Sequence, residues 1–299
     1  MTVPRSQQIS LDHTPYYLCT MRCVRRAFLC GKDRYSGRTY DHRKAWLEER
    51  FQKLTGVFAI GLASYAVMSN HYHVVVRINS EETERWSNEE VLDRWAKLHK
   101  VPALVSEERV AELRKRLASL SWFMKCINEP LARRSNREDD CKGRFWEGRF
   151  GCKALLDDSA LIRGMVYVDL NPIRADVAKT PETSRHTAIR ARIYRRDARL
   201  TGFRDQGGPL PLRRMEYLEL VDWSGRQARH GKRGSIPEEL PPIVDRLGFT
   251  ASNWQREMRY YGRWYFRAVG GLESLEQYCQ HLGQKWLKGQ GRQLASNVA

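Results

Sequence analysis

Tyr65-Ala66-Val67-Met68-Ser69-Asn70-His71-Tyr72-His73-Val74-Val75-Val76-Arg77 is the stretch on which both fold and chemistry turn. Val74 to Val76 is β-branched, which suits a buried strand. Side chains on a strand alternate faces, so His71 and His73 share one face, a pleat apart. Two imidazoles so placed can share a metal ion. Taken alone, the pair reads more readily as ordinary polar residues near a strand end, since so short a motif recurs by chance. Just upstream, Val57 to Met68 (VFAIGLASYAVM) is apolar and uncharged, which predicts another strand with a kink at Gly61. Ser69-Asn70 makes the turn of an antiparallel hairpin.

Working outward, Pro15 to Cys23 (PYYLCTMRC) alternates apolar with polar residues and predicts a first strand. Asp41 stands at an N-cap position ahead of Ala45, Trp46, Leu47, Phe51 and Leu54, predicting a helix from 41 to 54 that ends near Gly56. Residues 79–117 turn strongly charged, with Trp86, Val91, Leu92, Trp95 and Leu98 interspersed, and read as an inserted helical segment. Ser119 to Asn136 is amphipathic through Leu120, Phe123, Met124, Ile127 and Leu131, with Pro130 expected to kink or divide it. Lys142 to Leu156 (KGRFWEGRFGCKALL) reads as a loop entering a fourth strand. Asp157-Asp158-Ser159 then caps a helix whose apolar positions are Leu161, Ile162, Met165, Val166 and Leu170.

Composition bounds the partners. The chain has 299 residues, of which 52 are Lys or Arg and 35 are Asp or Glu, a net charge of +17. Clustered cations gain by releasing counterions from a polyanion, so nucleic acid is the expected partner. No apolar run is long enough to span a bilayer, and Met1 to His13 lacks the apolar core of a secretion signal, so a cytoplasmic location is expected. The seven cysteines include no C-x-x-C pair, so they are read as reduced, mostly structural thiols.

The second constellation is Tyr167-Val168-Asp169-Leu170-Asn171-Pro172-Ile173-Arg174-Ala175. Tyr167 and Asn171 are four apart and would share a helix face. Pro172 complicates this, because Asn171 can instead cap a new short helix with the proline at its first position. Breaking a DNA phosphodiester needs a nucleophile, stabilisation of charge on the phosphate oxygens, and positioning. A tyrosine can attack, and a divalent cation held by two imidazoles and one side-chain oxygen can polarise the phosphate. Tyr167, His71, His73 and Asn171 supply those groups. Mixed nitrogen and oxygen ligation suits Mg²⁺ or Mn²⁺ better than a closed zinc site. Arg144, Phe145, Trp146 and Arg149 suit a phosphate contact and a stacked base, although aromatic core plus surface arginine fits the same residues. Lys153 and Arg174 are further cations expected against DNA.

In these residues the chain resembles the REP-associated tyrosine transposases, within the single-tyrosine, His-hydrophobic-His transposases of bacterial insertion sequences. Met68 to His73, Gly143 to Phe150 and Tyr167 to Ala175 carry the resemblance, in matching order and spacing, over about residues 14–180. It implies an α+β fold, a ferredoxin-like or RRM-like antiparallel sheet with helices packed on it. It implies single-stranded or hairpin DNA as partner, attack by tyrosine to leave a 5′-phosphotyrosine and a free 3′-OH, and strand transfer by reversal. By position, Tyr167 matches the nucleophile, His71 and His73 the metal ligands, and Asn171 the third ligand. A homodimer is possible, with the tyrosine acting in its own subunit or across to the other.

The chain departs from the pattern in the helical insertion at about 79–117, in the bulkier Tyr72 between the histidines, and in its tail. Between Arg185 and Arg233 the tail holds twelve Arg and one Lys against five acids, and Gly207-Gly208-Pro209 with Pro211 reads as a linker. Residues 181–299 are expected as a basic helical extension beyond a catalytic domain at 14–180, with Trp223, Phe249, Trp254, Tyr260, Tyr261, Trp264, Tyr265, Phe266 and Trp286 among its aromatics. One alternative keeps the fold and the DNA without the reaction: a domesticated, catalytically silent DNA-binding protein. A rolling-circle initiator shares the histidines and the tyrosine, but its helicase would need a G-x-x-x-x-G-K-[ST] loop, which the sequence lacks.

Overall fold

The chain enters its sheet through strand β1 (Tyr16–Arg22) and crosses by helix α1 (His42–Thr55) to the hairpin of β2 (Ile60–Val67) and β3 (His71–Ile78). Three helices follow, α2 (Ser80–Arg85), α3 (Asn88–Ala96) and α4 (Glu107–Leu117), and then the long α5 (Leu120–Glu138) leads to β4 (Gly151–Leu155). Helix α6 (Asp158–Asp169) and the short α7 (Asn171–Arg174) come next, then α8 (Ala188–Ile193), α9 (Arg214–Gln227), β5 (Ala268–Val269) and α10 (Leu272–His281). The computed structural model describes residues 8–24, 31, 37–194, 198–227, 259, 261, 265 and 267–287. Phe249, Trp254, Tyr260, Trp264 and Phe266, singled out in the sequence, and Cys30, one of the seven cysteines, lie outside these residues.

The architecture is mixed α and β, with a five-stranded sheet in the order β2-β3-β1-β4-β5. The first four strands pair antiparallel, and β5 adds parallel to β4. Strand alternation gives the sheet two apolar faces. On one, Tyr17, Cys19, Tyr72, Val74, Val76, Cys152 and Ala154 meet Leu47, Phe51 and Leu54 of α1 and Phe123, Met124 and Ile127 of α5. On the other, Leu18, Val75 and Leu155 meet Leu161, Ile162, Met165 and Val166 of α6. Ile189 of α8 and Tyr217, Leu220 and Val221 of α9 join this second layer. His71 and His73 alternate with Tyr72 and Val74, so they fall on the α6 side with Val75.

Two local irregularities have identifiable causes. The register of β2 against β3 shifts between Leu62 and Ser64, beside Gly61. A Cβ at Gly61 would lie 2.8 Å from the Thr201 hydroxyl, so the glycine lets the 200–201 segment run close alongside, where Leu200 bridges Leu62. Helix α5 runs unbroken past Pro130, correcting the expected division. Pro130 is exposed, and the carbonyl it deprives of a donor, that of Cys126, accepts instead from Arg50 Nε at 2.7 Å. The stretch expected as a linker instead packs down, with Leu210 buried and bridged to Phe203.

Candidate active site

The antiparallel pairing of β1 with β3 sets Thr20 opposite His73 and Arg22 opposite His71. The two imidazole rings stand 4.8 Å apart at 88°. Each is held through Nδ1: His71 lies 2.6 Å from Asn70 Oδ1 and His73 lies 2.8 Å from Thr20 Oγ1. An amide oxygen can only accept, so His71 Nδ1 carries the hydrogen and Nε2 keeps its lone pair. Burial, then the Arg22 charge, pushes His71 down to about 4. Burial, followed by His71, Lys153 and Arg22, drives His73 well below the ordinary histidine range. Both rings are therefore neutral at pH 7, the form that ligates metal.

Asp157 starts α6 by accepting the backbone N–H of Ala160 at 2.7 Å. The helix brings Tyr167 to the histidines, with its ring 5.6 Å from that of His73 at 79°. The proline does not turn the chain away. Leu170 keeps right-handed helical dihedrals, its N–H bonds Val166 O, and the Arg174 N–H bonds Leu170 O across the junction. Pro172 sits at the start of α7, where the donor it lacks would have no helical partner. Asn171 therefore stays on the Tyr167 face. From there its side chain acts on the Tyr167 phenol, favouring the ionised form.

Burial raises the Tyr167 pKa, opposed by Arg174, by Asn171 and by Arg22. The Arg174 guanidinium lies 5.7 Å from the Tyr167 ring centre, and burial pushes its own pKa down to about 10. Lys153, half-buried on β4, acts on His73 from the other side of β1. Arg144 and Arg149 are exposed on the loop before β4. Phe145 and Trp146 are not available to a base: they are 2% and 8% exposed, and the indole N–H donates to Asn128 O at 3.0 Å. Their rings pack on each other at 4.8 Å and, for Trp146, against Tyr72 at 6.0 Å. The expectation of a stacked base there is corrected to aromatic core beneath surface arginines, because these rings close the face opposite the histidines.

Four neighbours escaped the sequence reading: Thr20, Arg22, Asn70 and Tyr261. Thr20 and Arg22 share the Leu18 face of β1, a signal that becomes usable once the β1–β3 register is known. Tyr261, which stacks on Tyr167 at 4.7 Å and 28°, carries no local signal.

A divalent cation suits the donor set. Both imidazoles are neutral and fixed through Nδ1, and Asn171, the expected third ligand, stands beside Tyr167. Among the described residues no three His, Cys, Asp or Glu side chains gather into a metal cluster, so a closed zinc-type site is not what these residues build.

No family model matches the chain, and no curated protein matches it. The solved structure of a REP-associated tyrosine transposase bound to a REP hairpin is similar over 61% of this chain and 81% of that chain, at 11% identity and a TM-score of 0.39. Among the described residues no helix is long and apolar enough to cross a membrane.

Proposed function

We propose that the chain is a DNA strand transferase that cuts and rejoins single-stranded, hairpin-associated DNA through a 5′-phosphotyrosine at Tyr167. The observation that carries this reading is the convergence of three rings from distant parts of the chain: His71 on His73 at 4.8 Å, and His73 on Tyr167 at 5.6 Å. A ferredoxin-like core is supported by the order β2-β3-β1-β4, in which α1 and α5 each connect strands that flank another strand. The catalytic unit is residues 14–180. The described parts of 181–299 pack on its α6 side, through α8 and α9, and along β4, through β5.

In the forward step the Tyr167 oxygen attacks the scissile phosphorus. The bond to the 3′-oxygen breaks as the tyrosyl ester to the 5′-phosphate forms, and the proton lost by the phenol is balanced by the one gained by the 3′-oxygen. Strand transfer is the same step run backward by an incoming 3′-OH. Asn171 and Arg174 favour the phenolate against the cost of burial. Arg22, Lys153, Arg144 and Arg149 form a basic approach for the DNA backbone. His71, His73 and Asn171 would hold Mg²⁺ or Mn²⁺. Bound there, the cation would polarise the scissile phosphate and offset charge building on its oxygens.

The test is incubation of the protein with labelled hairpin-bearing single strands and Mg²⁺ or Mn²⁺. A covalent adduct with wild type and none with Tyr167→Phe is expected. Tight binding without adduct across a broad hairpin panel would sink the transferase and leave the catalytically silent binder.

A further inference from the structure

We infer that Tyr261, from the C-terminal part of the chain, is a positioning residue for Tyr167, holding the nucleophile's ring in line with the histidine pair. This rests on Tyr167 being the nucleophile. The two phenol rings stack at 4.7 Å and 28°, while the His73 ring meets Tyr167 edge-on at 5.6 Å. Tyr167 is thus fixed by one face contact and one edge contact. The alternative role for Tyr261, a platform on which a DNA base stacks, does not fit its burial, since its relative exposure is 0%.

The rest of the fold is shaped around this contact. Gly164 lies one turn before Tyr167 on α6. A Cβ there would sit 3.2 Å from the Tyr261 hydroxyl and 3.1 Å from a Leu155 methyl, so the glycine leaves room for the phenol between α6 and β4. Tyr265 packs on Tyr261 at 5.5 Å. Ala268 and Val269 then pair with Ala154 and Leu155 of β4. The Gly271 N–H donates to Asp157 Oδ2 at 2.7 Å, and the other oxygen of that carboxylate caps α6. One side chain therefore ties the C-terminal segment to the start of the nucleophile's helix. An in-line displacement tolerates little freedom in the attacking oxygen, and a misplacement of about 1 Å costs on the order of a hundredfold in rate.

The experiment uses the full chain and single-turnover adduct formation on the hairpin substrate. Tyr261→Leu is expected to lower the rate constant at saturating DNA about tenfold to a hundredfold, with the half-saturating DNA concentration within about threefold of wild type. Tyr261→Phe, which keeps the ring, is expected to stay within about twofold. Gly164→Ala, which nudges Tyr261 without removing it, is expected to lower the rate constant and spare affinity, and it serves if Tyr261→Leu does not fold. Incorporation of 3-fluorotyrosine gives a readout free of DNA. The Tyr167 resonance, identified by its loss in Tyr167→Phe, should shift in Tyr261→Leu and hold in Tyr261→Phe. A wild-type rate constant in Tyr261→Leu, or a loss confined to DNA affinity, overturns the proposal while leaving the nucleophile in place. No adduct with wild-type protein overturns the transferase reading and this one with it, and the fluorine resonance then still reports whether the two rings stack in solution.

Discussion

The Thr20 hydroxyl lies 2.8 Å from Nδ1 of His73, reaching across from the neighbouring strand. It fixes the ring's rotation and directs Nε2 away from β1. Removing such a partner from a metal-ligating histidine typically costs about tenfold to a hundredfold in metal affinity. Thr20→Val keeps the shape and deletes the hydroxyl. Isothermal titration with Mn²⁺ in the absence of DNA should show the dissociation constant rising by about tenfold or more. An unchanged constant would mean that His73 is oriented by packing alone, or that it does not ligate.

The same burial that keeps the histidines neutral makes the metal-free protein sensitive to acid. His71 titrates at about 4 in the fold, against 6.5 when unperturbed. Between those values the unfolded chain binds a proton that the folded chain refuses. The stability held by neutral His71 is complete above pH 6.5 and is lost as pH falls toward 4, about 3 kcal/mol in all. Asp169 acts in the opposite sense: burial raises it from 3.8 to about 6, so the folded chain takes up that proton first and gains as pH falls from 6 to 3.8. Comparing wild type with His71→Gln separates the two, since Asp169 is common to both. Guanidinium unfolding in EDTA at intervals from pH 7 to 4.5 should show wild type losing stability faster than the variant. Parallel curves would refute the assignment.

Asp169 itself anchors the helix that carries Tyr167. Its fully buried carboxylate accepts from the Ser64 hydroxyl at 3.0 Å, from the Ile189 N–H at 3.1 Å and from the Tyr217 hydroxyl. Those donors sit on β2, α8 and α9, so one carboxylate joins four elements. Asp169→Asn replaces an acceptor with an N–H₂ that faces donors. Urea unfolding at pH 7.5 should report a loss of about 2–4 kcal/mol, and Tyr217→Phe about 1–2 kcal/mol. A change under about 0.5 kcal/mol, the scatter of a surface substitution, would mean the cluster relaxes around the amide.

Local pattern carried much of this structure. β3 begins at His71 and ends at Ile78, where the valine run placed it, and Asp157 caps α6 as its position suggested. What escaped depended on contacts between segments far apart in the chain. Proline after Asn171 argued for a break, yet hydrogen bonds on both sides of Leu170 keep the turn helical and Asn171 beside Tyr167. Aromatic residues interleaved with arginine looked alike as a DNA platform and as core. Only the β1–β3 layer, with Tyr72 against Trp146, decides between them. The Tyr261 contact spans 94 positions to Tyr167 and leaves no period or spacing to detect.

That ambiguity in the Gly143–Phe150 stretch gives the sharpest contrast between neighbouring residues. Trp146 is buried and donates its indole N–H to Asn128 O. Trp146→Ala opens a cavity beneath the sheet and leaves that carbonyl without its donor, so thermal or urea unfolding should show a loss of about 3–5 kcal/mol. Arg144, two residues earlier, is exposed on the same loop. Arg144→Ala should leave stability within about 0.5 kcal/mol of wild type. Under the proposed function its effect falls on DNA binding: fluorescence anisotropy across a salt series should show weaker binding and a slope of log affinity against log salt shallower by about one. If Trp146→Ala instead folds with wild-type stability and loses DNA affinity, the ring is reading a base and the assignment of this stretch to the core is wrong. If Arg144→Ala leaves both affinity and slope unchanged, the DNA backbone does not pass over this loop, and its approach narrows to Arg22, Lys153 and Arg174 around the tyrosine.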